Sequence, residues 1–229
     1  KALYLSSGTQ SNLAGIMAHC GRGDEYIVGQ MQHTYRWEAG GAAVLGSVQP
    51  QPIVNQPDGT LALDDIRDAI KPDDYHHAMT KLLALENTIG GKVVPMSYIH
   101  EATTLAREHG LGCHLDGARA FNAAVALGIP ISEIAAPFDT ISICLSKGLG
   151  APVGSVLAGN ADLIDRARRV RKMLGGGMRQ AGFMAAAALY ALENNVSRLA
   201  EDHANARKLA EGLANIPGIQ VAAPDTNII

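Results

Sequence analysis

Seven short apolar runs, at residues 2–5, 26–29, 48–54, 81–86, 111–115, 138–145 and 153–158, recur through the first 158 residues, and helical patterns separate most of them. Runs of this length, bounded by glycine, proline and asparagine, read as buried strands. Strands alternating with helices predict an α/β fold, a mostly parallel sheet covered by helices on both faces. The first helical pattern carries Leu13, Ile16, Met17 and Cys20 at the 3.6 period and ends in Gly21 and Gly23. Residues 63–70 form a short amphipathic pattern with Asp64 and Asp65 in its first turn. A third helix is expected over 97–109, stopped by Gly110, and a fourth over 118–127. Pro50 and Pro52 suit the 48–54 run to a sheet edge or a connection, because proline has no N–H to give a ladder. From Asn160 the chain turns helical, with Leu163, Ile164, Ala167, Val170 and Leu174 on one stripe. Gly175, Gly176 and Gly177 break that helix, two more follow over 178–194 and 196–213, and residues 219–222 read as the start of a strand.

The chain has 229 residues, 47% of them hydrophobic and 18% charged, which suits a globular protein of one large domain or one and a half. A net charge of −3 gives no electrostatic case for nucleic acid or a membrane surface. Cys20, Cys113 and Cys144 form no CxxC pair, so a reducing compartment with buried thiols, the cytoplasm, is expected rather than a disulfide framework or a zinc site. No apolar run has the roughly 18 residues of a spanning helix, and no signal peptide is read. The sequence opens at Lys1 inside an apolar run and is expected to be a piece of a longer protein.

In parallel sheets covered on both faces, ligands sit beyond the carboxyl ends of the strands. Gly8 and Thr9, His33, Glu86 and Asn87, Asp116, and Lys147 each fall at that end of a predicted strand. Singly, each has an ordinary explanation: a capped helix, a surface histidine, a helix-capping aspartate, a solvated lysine. Together they put a phosphate-binding turn, a histidine, a carboxylate and a lysine on one rim. A cofactor with a phosphate, a flat ring, a basic ring nitrogen and an aldehyde matches that set, and pyridoxal 5′-phosphate has all four features. Lys147 would form the Schiff base, Asp116 would keep the pyridine nitrogen protonated, Gly8 and Thr9 would hold the phosphate, and His33 would lie over the ring face. A nucleotide-binding enzyme fits poorly: no GxGxxG follows the first strand and no GxxxxGK[ST] occurs.

Six segments carry a resemblance: Ser-Gly-Thr-Gln at 7–10, Gln-His-Thr-Tyr-Arg-Trp-Glu-Ala-Gly-Gly at 32–41, Leu-Glu-Asn-Thr at 85–88, His-Leu-Asp-Gly-Ala-Arg at 114–119, Cys-Leu-Ser-Lys-Gly-Leu-Gly at 144–150 and Gly-Gly-Met-Arg-Gln at 176–180. In this order, over nearly the whole chain, they resemble the low-specificity L-threonine aldolases, pyridoxal-phosphate enzymes of the aspartate-aminotransferase fold group. The resemblance implies roles residue by residue. Lys147 matches the Schiff-base lysine and Asp116 the ring-nitrogen partner. Arg119 matches an arginine that contacts cofactor or substrate carboxylate. His33 matches the stacking histidine implicated in catalysis, and His76 stands where a second active-site histidine is expected. Trp37 occupies an aromatic position on the substrate side. Lys172 and Arg179 match basic residues near the phosphate that reach in from a neighbouring subunit of a homodimer or homotetramer.

The implied reaction cleaves the Cα–Cβ bond of L-threonine, L-allo-threonine and related β-hydroxy-α-amino acids to glycine and an aldehyde, with His33, His76 or a water they position as base. β-Elimination and transamination are alternatives on the same scaffold, as is a non-catalytic fragment that binds a partner. The family's members are longer at both ends, so residues 1–195 are expected to form the cofactor-binding large domain and 196–229 the incomplete start of a small domain. That small domain normally supplies an arginine for the substrate carboxylate.

Overall fold

The computed structural model describes all 229 residues. In chain order the elements are β1 (Ala2–Leu5), α1 (Gly8–His19), β2 (Asp24–Gly29), α2 (His33–Arg36), α3 (Gly41–Val44), β3 (Gln49–Ile53), α4 (Leu63–Ala69), β4 (Met79–Glu86) and α5 (Met96–Glu108). They continue as β5 (Gly112–Asp116), α6 (Ala120–Leu127), α7 (Ile131–Ala135), β6 (Thr140–Cys144), β7 (Ser155–Gly159), α8 (Ala161–Met173), α9 (Gly182–Asn194) and α10 (Leu199–Ala214).

The seven strands make one sheet in the order β1-β7-β6-β5-β4-β2-β3. From β3 to β6 all pairings are parallel, and β7 runs antiparallel to both of its neighbours. β1 therefore points the same way as β6, and its carboxyl end joins the same rim. β3 is an edge strand, so Pro50 and Pro52 withhold no hydrogen bond from a second neighbour.

In β4, Leu82, Leu83, Ala84 and Leu85 are all buried, as expected of a parallel strand covered on both faces. Alternate side chains go to opposite layers. Leu83 and Leu85 join Ile66 of α4 and Ile99 and Leu105 of α5, whereas Leu82 and Ala84 join Ile16 of α1, Tyr26 and Val48. Each fully buried leucine or isoleucine contributes about 1.5–3 kcal/mol. α1 is buried on nearly every side because α8 covers its outer face, and Leu163, Ile164, Ala167 and Val170 pack there with Ala14 and Ala18. Gly110 follows α5 with φ +73°, the left-handed C′ residue its position predicts.

Two expectations at the carboxyl end are corrected. Residues 219–222 form no strand: Val221 and Ala222 lie against α10 beside Ala210 and Ala214, and the segment joins no strand of the sheet. The helix expected from residue 178 begins only at Gly182. The segment beyond residue 195 packs on the rest of the chain. Leu199 is buried with Leu145, Leu149, Ala188 and Ala191, while Thr226 Oγ1 donates to the Gly91 carbonyl and the Val93 N–H donates to Asp225. All three cysteines are free and buried, and no helix is long and apolar enough to cross a membrane.

Candidate active site

A cavity of about 200 Å³ opens at the carboxyl rim of the sheet. Gly8 and Thr9 line it from the start of α1 after β1, His33 from the start of α2 after β2, Asp116 from the end of β5 and Lys147 from just beyond β6. Separate segments thus converge where the strand pattern predicts.

The turn into α1 is made for an anion. Ser7 caps the helix by accepting the Gln10 N–H on Oγ at 3.2 Å. The N–H groups of Gly8 and Thr9, in the first turn, have no intrahelical acceptor, and the helix dipole favours negative charge beside them. Gly8 is required by close approach: a Cβ there would lie 2.6 Å from Cys144 Sγ. The loop at Gly176 packs against the Gln10 side chain so closely that a Cβ would collide with it, which brings the end of α8 beside this turn.

Beneath the cavity runs a buried polar chain. Asp116 accepts the Ala118 N–H on Oδ1 at 3.0 Å and Asn12 Nδ2 on Oδ2 at 2.8 Å. The same Asn12 nitrogen donates to Glu38 Oε1 at 2.9 Å, and that oxygen also pairs with His33 Nδ1 at 2.9 Å. The hydrogen bond to Glu38 raises the pKa of His33 above the usual histidine value, against the effect of burial. Burial raises the pKa of Glu38, while its bonds to His33 and Asn12 oppose the rise. Glu86 accepts the His33 backbone N–H at 2.6 Å, and burial, then the Asp116 charge, push its carboxyl up to about 8. A histidine with Nδ1 held by a carboxylate presents Nε2 as its free base.

The other anticipated residues stand differently. Arg119 sits at the N-cap of α6 with its Nε buried and without a hydrogen-bond partner, a donor in want of an acceptor. Trp37 is 62% exposed, with the Arg36 guanidinium 4.9 Å from its ring centroid. Lys172, in the last turn of α8, runs past Gly177, and Arg179 is exposed on the loop before α9. His76 is not among the residues lining the cavity. It lies on the exposed loop between α4 and β4, paired with Asp74 at 2.7 Å and stacked on Tyr75.

Sequence reasoning gave no role to Asn12, Glu38 or His114. His114 and Asp116 are two apart on one strand and so share a sheet face. Asn12 lies four residues beyond Gly8 on α1, one turn from the phosphate turn. Both spacings were visible, and what they lacked was a partner to face.

The residues present fit pyridoxal phosphate. Gly8 leaves a cradle that a side chain would fill, the α1 terminus suits a phosphate, Asp116 offers a buried carboxylate for a ring N–H, Lys147 offers an amine, and Arg119 keeps a spare donor. Fold and rim together define an α/β enzyme that works with pyridoxal 5′-phosphate. A pyridoxal-phosphate-dependent aminotransferase from Streptococcus suis has the same fold, with a TM-score of 0.74 at 19% identity over 98% of this chain and 59% of that one. Threonine aldolase from Leishmania major superposes with a TM-score of 0.85 at 25% identity, over 99% of this chain and 67% of that one. Low specificity L-threonine aldolase of Escherichia coli K12 is 58% identical over 228 residues, the whole of this chain and 68% of that protein. The probable low-specificity L-threonine aldolase 2 of Arabidopsis thaliana is 49% identical, over the whole of this chain and 66% of that protein. The beta-eliminating lyase family matches residues 1–229, and the chain belongs to it. It spans about two thirds of the length of these relatives.

Proposed function

We propose that the protein cleaves the Cα–Cβ bond of threonine, allo-threonine and related β-hydroxy-α-amino acids, releasing glycine and an aldehyde. The observation that carries this reading is the His33–Glu38 pair on the same cavity as Lys147 and Asp116. Retro-aldol cleavage needs a base for a β-hydroxyl proton, and a carboxylate-backed imidazole on the same cavity as the amine is suited to that task. When bound, pyridoxal phosphate supplies the electron sink for the pair left on Cα.

The chain's own groups have these parts. The first-turn N–H groups of Gly8 and Thr9 would hold the phosphate, and the Lys147 amine would anchor the cofactor. Asp116 would accept the ring N–H. His33 takes the β-hydroxyl proton at Nε2 while its Nδ1–H donates to Glu38. Arg119, with its free Nε, receives a carboxylate, and Trp37 lines the substrate side. His76 would have to act from its exposed loop, so His33 is the better supported base.

The functional unit is read as a cytoplasmic homodimer or homotetramer, with Lys172 and Arg179 serving the phosphate of a neighbour's site. Exposed Met173 at the end of α8 and Phe183, Leu189 and Tyr190 along α9 offer that assembly apolar side chains. Residues 196–229 are read as the start of a second, smaller domain after a large domain of residues 1–195.

The test is a spectrum of the purified protein with and without borohydride, mapping of the labelled lysine, and product analysis with threonine. Glycine plus acetaldehyde supports the reading. Keto acid and ammonia would point to elimination or transamination, and no cofactor band to a non-catalytic fragment.

A further inference from the structure

Glu38 and Asp116 bring two carboxylates into one buried space. One oxygen of each and a His33 ring nitrogen lie within 4.8 Å of one another, with Glu38 6% and Asp116 2% exposed. Two carboxylates this close and out of water tend to share a proton, because neither easily ionises beside the other. A shared proton would occupy an oxygen that Asp116 needs as acceptor toward a ring nitrogen.

Asn12 stands between them. An amide NH₂ has two hydrogens, and Asn12 directs one to Asp116 Oδ2 at 2.8 Å and the other to Glu38 Oε1 at 2.9 Å. Each carboxylate thereby receives a donor that is not a shared proton. The amide works only in this sense, since turned over it would aim its oxygen at two acceptors.

The far side of Asn12 fixes that sense. Its Oδ1 lies 3.2 Å from His114 Nε2, and His114 Nδ1 lies 2.8 Å from Thr140 Oγ1. His114 is fully buried, and burial pushes its pKa down to about 3, so the ring is neutral and has one N–H. With that hydrogen on Nδ1, Nε2 would face the Asn12 oxygen lone pair to lone pair. The hydrogen therefore sits on Nε2, and the Thr140 hydroxyl donates to Nδ1. Thr140 Oγ1 then has a lone pair for the N–H of His19 Nε2, 2.8 Å away. The remaining charged groups around the carboxylates are already engaged or across the cavity: His33 on Glu38, Glu86 on the His33 backbone N–H, and Lys147 on the cavity wall.

We propose that Asn12 is a positioning residue that keeps Glu38 and Asp116 from sharing a proton, with His114, Thr140 and His19 fixing the way its amide is turned. This rests on reading Asp116 as the partner of the cofactor's ring nitrogen.

The test uses holoenzyme loaded with pyridoxal phosphate carrying ¹⁵N in the ring, comparing Asn12→Leu with Asn12→Leu/Glu38→Gln by NMR. In Asn12→Leu the ring nitrogen moves toward its unprotonated shift, and kcat falls ~10- to 100-fold, the loss of a charge-assisted hydrogen bond. In the double variant the Glu38→Gln exchange brings an amide donor and no competing charge. The protonated shift returns there, and kcat recovers to the level of Glu38→Gln alone. If the single variant cannot hold the cofactor, uptake regained in the double variant supports the proposal equally. An unchanged ring shift in Asn12→Leu, or the same defect in both variants, overturns it, because a packing role would not be relieved at Glu38. An unprotonated ring nitrogen in the wild type would instead remove the Asp116 assignment itself, and this inference with it.

Discussion

On the cavity floor, Glu38, His114 and Asp116 are buried and each is hydrogen-bonded to Asn12, whereas Trp37, His76, Lys172 and Arg179, the outer margin of the anticipated site, do not line the cavity and lie exposed on loops or at a helix end. The difference follows from where water is. A buried polar group must find its partner inside the protein, so the floor is over-determined by one chain. An exposed side chain is solvated wherever it turns and takes a fixed place only when a ligand, a second copy or more of the protein meets it. Floor residues should therefore give large, chain-autonomous effects, and margin residues smaller ones that depend on assembly.

The largest effect is expected at Lys147. Lys147→Ala should abolish turnover while the circular dichroism spectrum keeps its α/β shape, and borohydride should leave the pyridoxyl label on Lys147 of the wild type. A label on Lys81, Lys92 or Lys172 would sink the assignment. Next comes Asp116→Asn, where a neutral amide replaces the charge proposed to stabilise a protonated ring nitrogen. About 3 kcal/mol of barrier, roughly two orders of magnitude in kcat, should be lost with cofactor binding affected less. Near-normal kcat counts decisively against the floor as described.

Arg179→Ala tests the margin. A loss of about tenfold is expected for one exposed charge-assisted contact. Mixing Arg179→Ala with Lys147→Ala chains should restore activity, because a mixed dimer holds one site with both residues intact. If the subunits exchange and nothing returns, Arg179 serves its own chain. A pH profile sharpens the contrast further. As the proposed base, His33 would work only when unprotonated, so kcat/KM should rise with pH through its pKa, which the Glu38 bond lifts above the usual histidine value. Glu38→Gln removes the largest upward influence, and the acid limb should move to lower pH. A limb that stays in place shows that another group titrates. The smallest effect is expected for His76→Ala, less than about threefold in kcat, given its exposed pairing with Asp74.

Much of this was legible beforehand, for reasons that differ by region. The gathering of the site on one rim could be inferred because period and punctuation mark strands, and a parallel sheet puts their carboxyl ends together. Pro50 and Pro52 marked the edge and Gly110 the end of α5, since each has a backbone property no neighbour can override. Asn12, Glu38 and His114 stayed silent because their meaning is pairwise across 26 and 102 residues. No local pattern records such a distance. Residues 219–222 misled because β-propensity says nothing of whether the fold carries a segment to a sheet edge or, as here, onto a helix. His76 has no cavity contact in a single chain, and a motif match alone could not reveal that.

The antiparallel β7 has a consequence for how the protein comes into being. β1 has no other neighbour in the sheet, and its register runs from Ala2 opposite Ala158 to Leu5 opposite Ser155. The phosphate turn at Gly8 hangs from that strand, so it reaches Lys147 only after the chain has closed a loop of about 150 residues. Contacts so distant in sequence form slowly. On a ribosome, β1 must wait for β7 to emerge. The central strands can pair early, but the catalytic rim is completed near the end of folding, and until then β1 is an unpaired apolar segment in need of protection.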